Sequence, residues 1–382
     1  MKLFKSLLVA PATLGLLAPL SSNATEVNLN EISNYSDVEV IEFENSFNKD
    51  DLILSPLLAG GEGLVDSHDG GFSETTTASF SADFYLGSED TDDGSATAND
   101  TDDAIVANYS FQIDLNTSFT GEDSLDISLD AGNAGGGTAE FDGNGGGDTL
   151  AVDGVAYTFP VGGATVFVGD NSDGSSLYTT ACVYGGPSNT LDDCANVNAG
   201  FTGGAVAAGA SYDFGNGFTA ATGMQTSSDG VLTEESLDSY GLNVAYTGES
   251  YGVSLTYGIT ESSTTEEDAA TALNAYYTPD GLPSISVGYE IVDLGGEAST
   301  ADEKESFFVG LTWDEVGPGS AGVALGYSDV VEGTDEEYMY EAYYEYPVND
   351  GLTITPLVFV KEEADAGVDD TTGVMVKTSF SF

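Results

Sequence analysis

The side chains in this sequence that could do chemistry are overwhelmingly carboxylates. There are 65 Asp and Glu against 6 Lys and no Arg, with one histidine, His68, and two cysteines, Cys182 and Cys194. A lone histidine argues against His-dependent catalysis. A Ser–His hydrolase needs the pair within reach of each other, so no catalytic residue is assigned and no enzyme is expected. Two cysteines without histidine make half a zinc site. The run Asp170-Asn171-Ser172-Asp173-Gly174 has the residue types of a calcium loop but misses the alternating ligand spacing of an EF-hand. No metal site and no cofactor are expected. Polar residues do recur at every second position, as in Gln112, Asp114 and Asn116, or Asp126 and Asp130, and Glu341 lies four residues before Glu345. On an extended chain such residues share one face. Rings of carboxylates inside a pore favour cations.

Something must hold those faces, and the composition narrows what. The net charge is −59, which excludes a nucleic-acid binder, since such a protein needs cations to displace counterions from phosphates. An acidic chain poor in apolar residues stays disordered, but here 41% of residues are hydrophobic and 10% aromatic. Residues 1–24 have the layout of a secretory signal peptide: Lys2 and Lys5, an apolar stretch from Leu7 to Leu20, and Ser22-Asn23-Ala24 as a cleavage site. The alternative, a membrane-anchoring helix, is disfavoured by Pro11, Pro19 and the shortness of the run. No run of 18 apolar residues follows Ala24, so no transmembrane helix is predicted.

From Phe72 onward the chain alternates with period two, the pattern of strands with unlike faces. Tyr251, Val253, Leu255, Tyr257 and Ile259 fall on one side, and Gly252, Ser254, Thr256 and Gly258 on the other. Phe307, Val309, Leu311 and Trp313 make another apolar face, as do Val374, Val376, Thr378, Phe380 and Phe382. A soluble sandwich alternates too, but here aromatics sit near the ends of the apolar faces, as in Tyr240/Tyr246, Tyr251/Tyr257 and Tyr338/Tyr346. Girdles of this kind mark transmembrane barrels. Six residues between girdles cover only roughly 15 Å of a ~25 Å apolar band. Sixteen strands are predicted, with 14 or 18 as alternatives. Tight turns at Gly121-Glu122, Val161-Gly162, Gly215-Asn216, Gly248-Glu249, Asp280-Gly281, Gly317-Pro318 and Asn349-Asp350 alternate with longer acidic links. The expected fold is all-β: a transmembrane antiparallel β-barrel over 72–382, after a short acidic extension over 25–71.

Alternation turns Asp83, Gln112, Asp114, Asn116, Asp126, Asp130, Asp213, Glu290, Glu341 and Glu345 toward the lumen, with Lys361 and Lys377 on the same side and Lys304 at a strand end. The small and polar character of these faces suits the wall of a water-filled lumen. Without Arg, the transverse field of an Arg cluster set against an acidic loop cannot form. The competing reading is that acids merely solvate the protein. Segment 170–202 joins the fifth and sixth predicted strands. It holds both cysteines, and an exported protein meets an oxidising compartment, so a Cys182–Cys194 disulfide is expected, with two free thiols as the alternative.

The leader MKLFKSLLVAPATLGLL, the segment NYSFQIDLNTSFTG at 108–121, GLTITP at 351–356 and the closing strand ending in Phe382 resemble the cyanobacterial iron-uptake porins, a family related to carbohydrate-selective porins. The resemblance covers the leader and essentially the whole barrel. It implies a 16-stranded, trimeric channel in the cell outer membrane, in contact with its lipid and delivered by assembly machinery that reads the Phe-terminated strand. Segment 170–202 is similar in position to the third outer loop of porins, which implies that it folds into the pore. Members usually carry an S-layer-homology domain and a helical spacer, for which 25–71 is too short. The expected function is a water-filled, cation-preferring channel for passive diffusion of ions and small nutrients, iron included. A carbohydrate-selective porin is the alternative within this class, and a non-pore acidic surface protein the alternative outside it.

Overall fold

The structure, a computed structural model, describes residues 76–90, 104–227, 230–231, 233, 237–263, 266–295, 301–363 and 369–382; the expected leader and the 25–71 extension lie outside them. It is built from sixteen strands: β1 (Thr76–Asp90), β2 (Val106–Thr117), β3 (Ser124–Gly132), β4 (Ala151–Val161), β5 (Ala164–Ser172), β6 (Ala205–Gly215), β7 (Phe218–Thr226), β8 (Asp238–Thr247), β9 (Tyr251–Ser263), β10 (Glu266–Tyr277), β11 (Ser284–Asp293), β12 (Glu303–Val316), β13 (Gly319–Val331), β14 (Met339–Asn349), β15 (Leu352–Lys361) and β16 (Thr371–Ser381). Each strand pairs antiparallel with its neighbours in sequence, and β1 pairs with β16 to close the barrel. Phe80 and Phe382 exchange backbone hydrogen bonds of 3.0 Å across that seam and stack their rings. Closure leaves no sheet edge, so every strand has two partners for its backbone polar groups.

The predicted faces appear as drawn. Phe84, Leu86, Val244, Leu255, Val323 and Val358 are exposed on the outside. Tyr212, Phe218, Tyr246, Tyr251 and Trp313 ring the end with short links, and Tyr240, Tyr289 and Tyr340 the end with long ones. Strands run nine to fifteen residues, and ten residues at ~3.3 Å rise and ~40° tilt cover about 25 Å. The apolar band is thus spanned with more strand than the distance between girdle residues suggested.

Four short links are two residues long (162–163, 216–217, 317–318 and 350–351), and the first three have positive φ at Gly162, Asn216, Gly217 and Gly317. Two-residue hairpins favour such left-handed positions. The β2–β3 link differs from the tight turn expected at Gly121-Glu122: it spans 118–123 and is organised by Asp123. One carboxylate oxygen of Asp123 accepts the Phe119 and Thr120 N–H groups and the Ser118 and Thr120 hydroxyls, and the other accepts the Tyr157 hydroxyl at 2.6 Å. These donors, Tyr157 foremost, hold its pKa well below the usual carboxylate range.

Candidate functional site: a lumen narrowed by two links

The link 173–204, between β5 and β6, turns into the barrel. Its root is closed by Asp173, whose carboxylate accepts the Gly203 and Gly204 N–H groups at 2.9 and 3.2 Å. The apparent calcium-loop residue is therefore a loop clasp. From there the chain crosses the inner wall at an angle to the strands. Alternate N–H groups of its extended stretch donate to side chains on three strands along the wall: Thr179 to Asn243 of β8 at 3.0 Å, Ala181 to Ser254 of β9 at 2.8 Å, and Val183 to Ser286 of β11 at 3.0 Å. Glycines on the inner faces make room for it. A Cβ on Gly223 would lie 1.8 Å from the Gly174 carbonyl oxygen, and one on Gly288 1.8 Å from that of Cys194.

Two carboxylates anchor the link at its far reaches. Glu290 of β11, fully buried, accepts the Asn198 and Ala199 N–H groups at 3.0 and 2.7 Å and the Asn198 side-chain amide at 2.8 Å. Glu341 of β14 accepts the Tyr184 hydroxyl at 2.5 Å. Burial, reinforced by the Glu341 charge, keeps that hydroxyl protonated far above its ordinary range. Lys304 donates to the Asn198 side-chain oxygen at 2.8 Å and pairs with Asp329 at 3.0 Å.

A second link, 133–150 between β3 and β4, also enters the lumen. Its single 3-10 turn, Ala139–Phe141, buries Phe141 against Tyr85 of β1, ring centroids 5.7 Å apart. The Lys377 ammonium stands 5.8 Å from the Phe141 ring centroid. The two links meet: the Asn189 N–H donates to the Glu140 carbonyl at 2.8 Å, and the Thr190 hydroxyl reaches both Glu140 carboxylate oxygens at 3.0 Å. Around this junction an apolar core fills one side of the barrel, made by Tyr184, Leu191 and Phe141 from the links and Phe308, Met339, Leu357, Phe359 and Met375 from the wall.

The predicted lumen residues therefore divide into groups. Asp83, Gln112, Asp114, Asn116, Asp126 and Asp130 lie on the inner faces of β1–β3 and stay partly accessible, knitted by hydrogen bonds such as Gln112 to Asp114 and Ser128 to Asp114, both 2.7 Å. Asp213 and Glu345 lie exposed near the short-link end, where Asp213 accepts the Gly215 N–H. Lys361 and Lys377 are half-buried on the inner faces of β15 and β16. Glu290 and Glu341 also point inward, but the link covers them, so neither faces open lumen. The small inner residues of β8–β12 differ from the water-facing wall expected for them: Asn243, Ser254, Thr256, Asn274, Ser286 and Ser306 are buried. They are small because a polypeptide lies on them.

Two residues not singled out by sequence, Asp192 and Asp193, are exposed on the 173–204 link, close enough to feel the charge of Asp142, exposed on the other. Though part of its side chain reaches solvent, Asp192 is pushed up to about 7 by desolvation first and then by repulsion from Asp193 and Asp142. Nothing in their spacing marked them out.

Cys182 and Cys194 are joined in a disulfide. Cys194 and Ala195 both have left-handed φ, 53° and 56°, a backbone that non-glycine residues adopt only when their surroundings hold it. The crosslink and the Asn274 amide, which donates to the Cys194 carbonyl at 2.7 Å, are what hold it. Closing a loop of this size stabilises by about 3 kcal/mol in the chain-entropy model. Replacing both cysteines by Ser should leave the barrel assembled, since its ladder is independent of the link, and raise open-channel noise. Heat-modifiable gel migration together with single-channel recording checks both parts.

The sequence matches no protein-family model and no curated protein. The fold is that of solved bacterial porins. Pseudomonas putida OprB superposes with a TM-score of 0.56 at 12% identity, covering 81% of this chain and 94% of that one. A triple mutant of the Rhodopseudomonas blastica porin gives 0.51 at 11% identity, covering 80% and 100%. At such identities the likeness is one of architecture, a closed 16-stranded barrel.

Proposed function

We propose that the protein is an outer-membrane porin whose lumen passes small hydrophilic solutes by diffusion and prefers cations, iron among them. The observation that carries this reading is where the interior stays open. The links cover the inner faces of β8–β12 and pack on those of β14–β16, whereas the acidic faces of β1–β3 keep accessible side chains. Asp83, Asp114, Asp126 and Asp130 line that side, and Asp142, Asp192 and Asp193 belong to the links. Carboxylates on both sides of a narrow aqueous path raise the local cation concentration. The apolar outer band with aromatics at both ends supports placement in a lipid bilayer. An outer-membrane site, trimeric assembly and recognition of the Phe382 strand are carried over from the porin resemblance.

Planar-bilayer recording in a KCl gradient tests the reading. The reversal potential should have the sign of cation permeation. It should shrink as salt rises from 0.1 to 1 M, because the Debye length falls from about 10 Å to about 3 Å. An anion-selective potential at low salt rules the cation preference out, and a protein that stays soluble without detergent and never conducts rules out the channel.

A further inference from the structure

The 133–150 link contributes Asp142 to the reading above, and it is tied to the 173–204 link at one residue, Glu140. Both carboxylate oxygens of Glu140 are taken by Thr190, whose hydroxyl lies 3.0 Å from each and whose N–H lies 3.2 Å from one of them. The neighbouring Asn189 N–H bonds the Glu140 carbonyl at 2.8 Å. On one side of Glu140, Phe141 is locked into the apolar core against Tyr85. Next comes Asp142, in a left-handed turn and exposed. On the other side of the contact, two and three residues past Thr190, stand Asp192 and Asp193. The junction therefore decides where three carboxylates from two separate links stand with respect to one another.

We propose that Glu140 is a positioning residue of the constriction: it latches the two links together through Thr190 and so sets the aperture and the spacing of Asp142 from Asp192 and Asp193. The proposal rests on the channel reading for its consequence but not for the latch itself. Glu140 acts here as a hydrogen-bond acceptor rather than as a free charge in the field of the pore. That distinction is testable because Gln keeps the length and one acceptor oxygen for Thr190, whereas Ala keeps neither.

The experiment uses the full-length protein in detergent and in planar bilayers, with Glu140→Gln, Glu140→Ala and Thr190→Val. In hydrogen exchange, the Asn189 and Thr190 amides should exchange faster in Glu140→Ala than in the wild type and stay close to wild type in Glu140→Gln. In bilayers, Glu140→Ala and Thr190→Val should share a larger, noisier conductance and a smaller reversal potential, with Glu140→Gln near the wild type. Equal losses of selectivity in Gln and Ala variants would mean that the charge itself acts, and the latch is overturned. Unchanged exchange and conductance in Glu140→Ala overturn it as well. Should Glu140→Ala fail to assemble, Thr190→Val, which leaves the carboxylate in place, decides. If the wild type proves unselective, the channel's cation preference fails while the exchange data still judge the latch.

Discussion

Replacing Glu290 by Ala should detach the 196–200 stretch from the wall and open the passage, with the barrel still folded. Glu290 is the most heavily used anchor of the constricting link, accepting two backbone N–H groups and a side-chain amide while fully buried. Hydrogen bonds to a charged group contribute about 1.5–3 kcal/mol each before the desolvation of the carboxylate is offset. Three buried donors left without an acceptor cost about 1–3 kcal/mol each, so about 3 kcal/mol or more together. At that figure the detached form gains roughly a hundredfold in population. The cost falls on the link because the strand ladder around β11 does not involve the side chain. Single-channel conductance should rise and flicker, heat modifiability should persist, and Glu290→Gln, which keeps an acceptor but not the charge, should fall between. A Glu290→Ala channel with wild-type conductance and noise would show that the link is held elsewhere.

The same residue shows where reading the sequence stops. Strand number, order and facing were recoverable because a barrel wall imposes one rule on every strand: apolar outward, anything else inward, with a turn each time the chain reverses. Strand ends at the long-link side were harder. β1 continues to Asp90 and β5 to Ser172 through polar residues, because pairing with a neighbour persists where the hydrophobic signal has already ended. Alternation correctly pointed Glu290 and Glu341 inward, but it could not show that a distant link lies over them. Which inward acid meets water depends on a contact between residues some ninety positions apart in one case and more than a hundred and fifty in the other. A signal was nevertheless present. The inner faces of β2 and β3 carry Asp114, Asp126 and Asp130, whereas those of β7–β12 carry Gly223, Gly241, Gly258, Gly288 and Gly310 with Asn243 and Asn274. Glycine marks close approach of another backbone, and a buried amide can bond both groups of a peptide. Likewise Leu357, Phe359 and Met375 point inward, and apolar residues on an aqueous wall make sense only if something apolar, here Phe141 and Leu191, packs on them.

If the lumen conducts as proposed, Asp192 should give conduction a pH dependence of definite sign. Burial first, then the charges of Asp193 and Asp142, raise its pKa to about 7, against an unfolded value of about 3.9. Below pH 7 it is protonated and neutral; above pH 7 it adds a negative charge beside two others. The folded state therefore binds more protons than the unfolded state between about pH 4 and 7, so the Asp192 contribution to stability is present at low pH and lost as pH rises through 7. Conduction should follow the same titration with its own sign. Cation preference at low salt should be strongest above pH 7 and decline as pH falls through it. Asp193, also pushed upward by burial and by Asp142, should add to the decline. Asp192→Asn should lower the reversal potential at pH 8 toward the wild-type value at pH 6 and flatten the profile between them. An outer-wall exchange such as Val244→Leu should leave the profile intact. A wild-type profile that is flat from pH 8 to 6, or that rises as pH falls, would mean that Asp192 does not stand in the path of the ions. The accessible acids of β1–β3 would then carry the preference without the links.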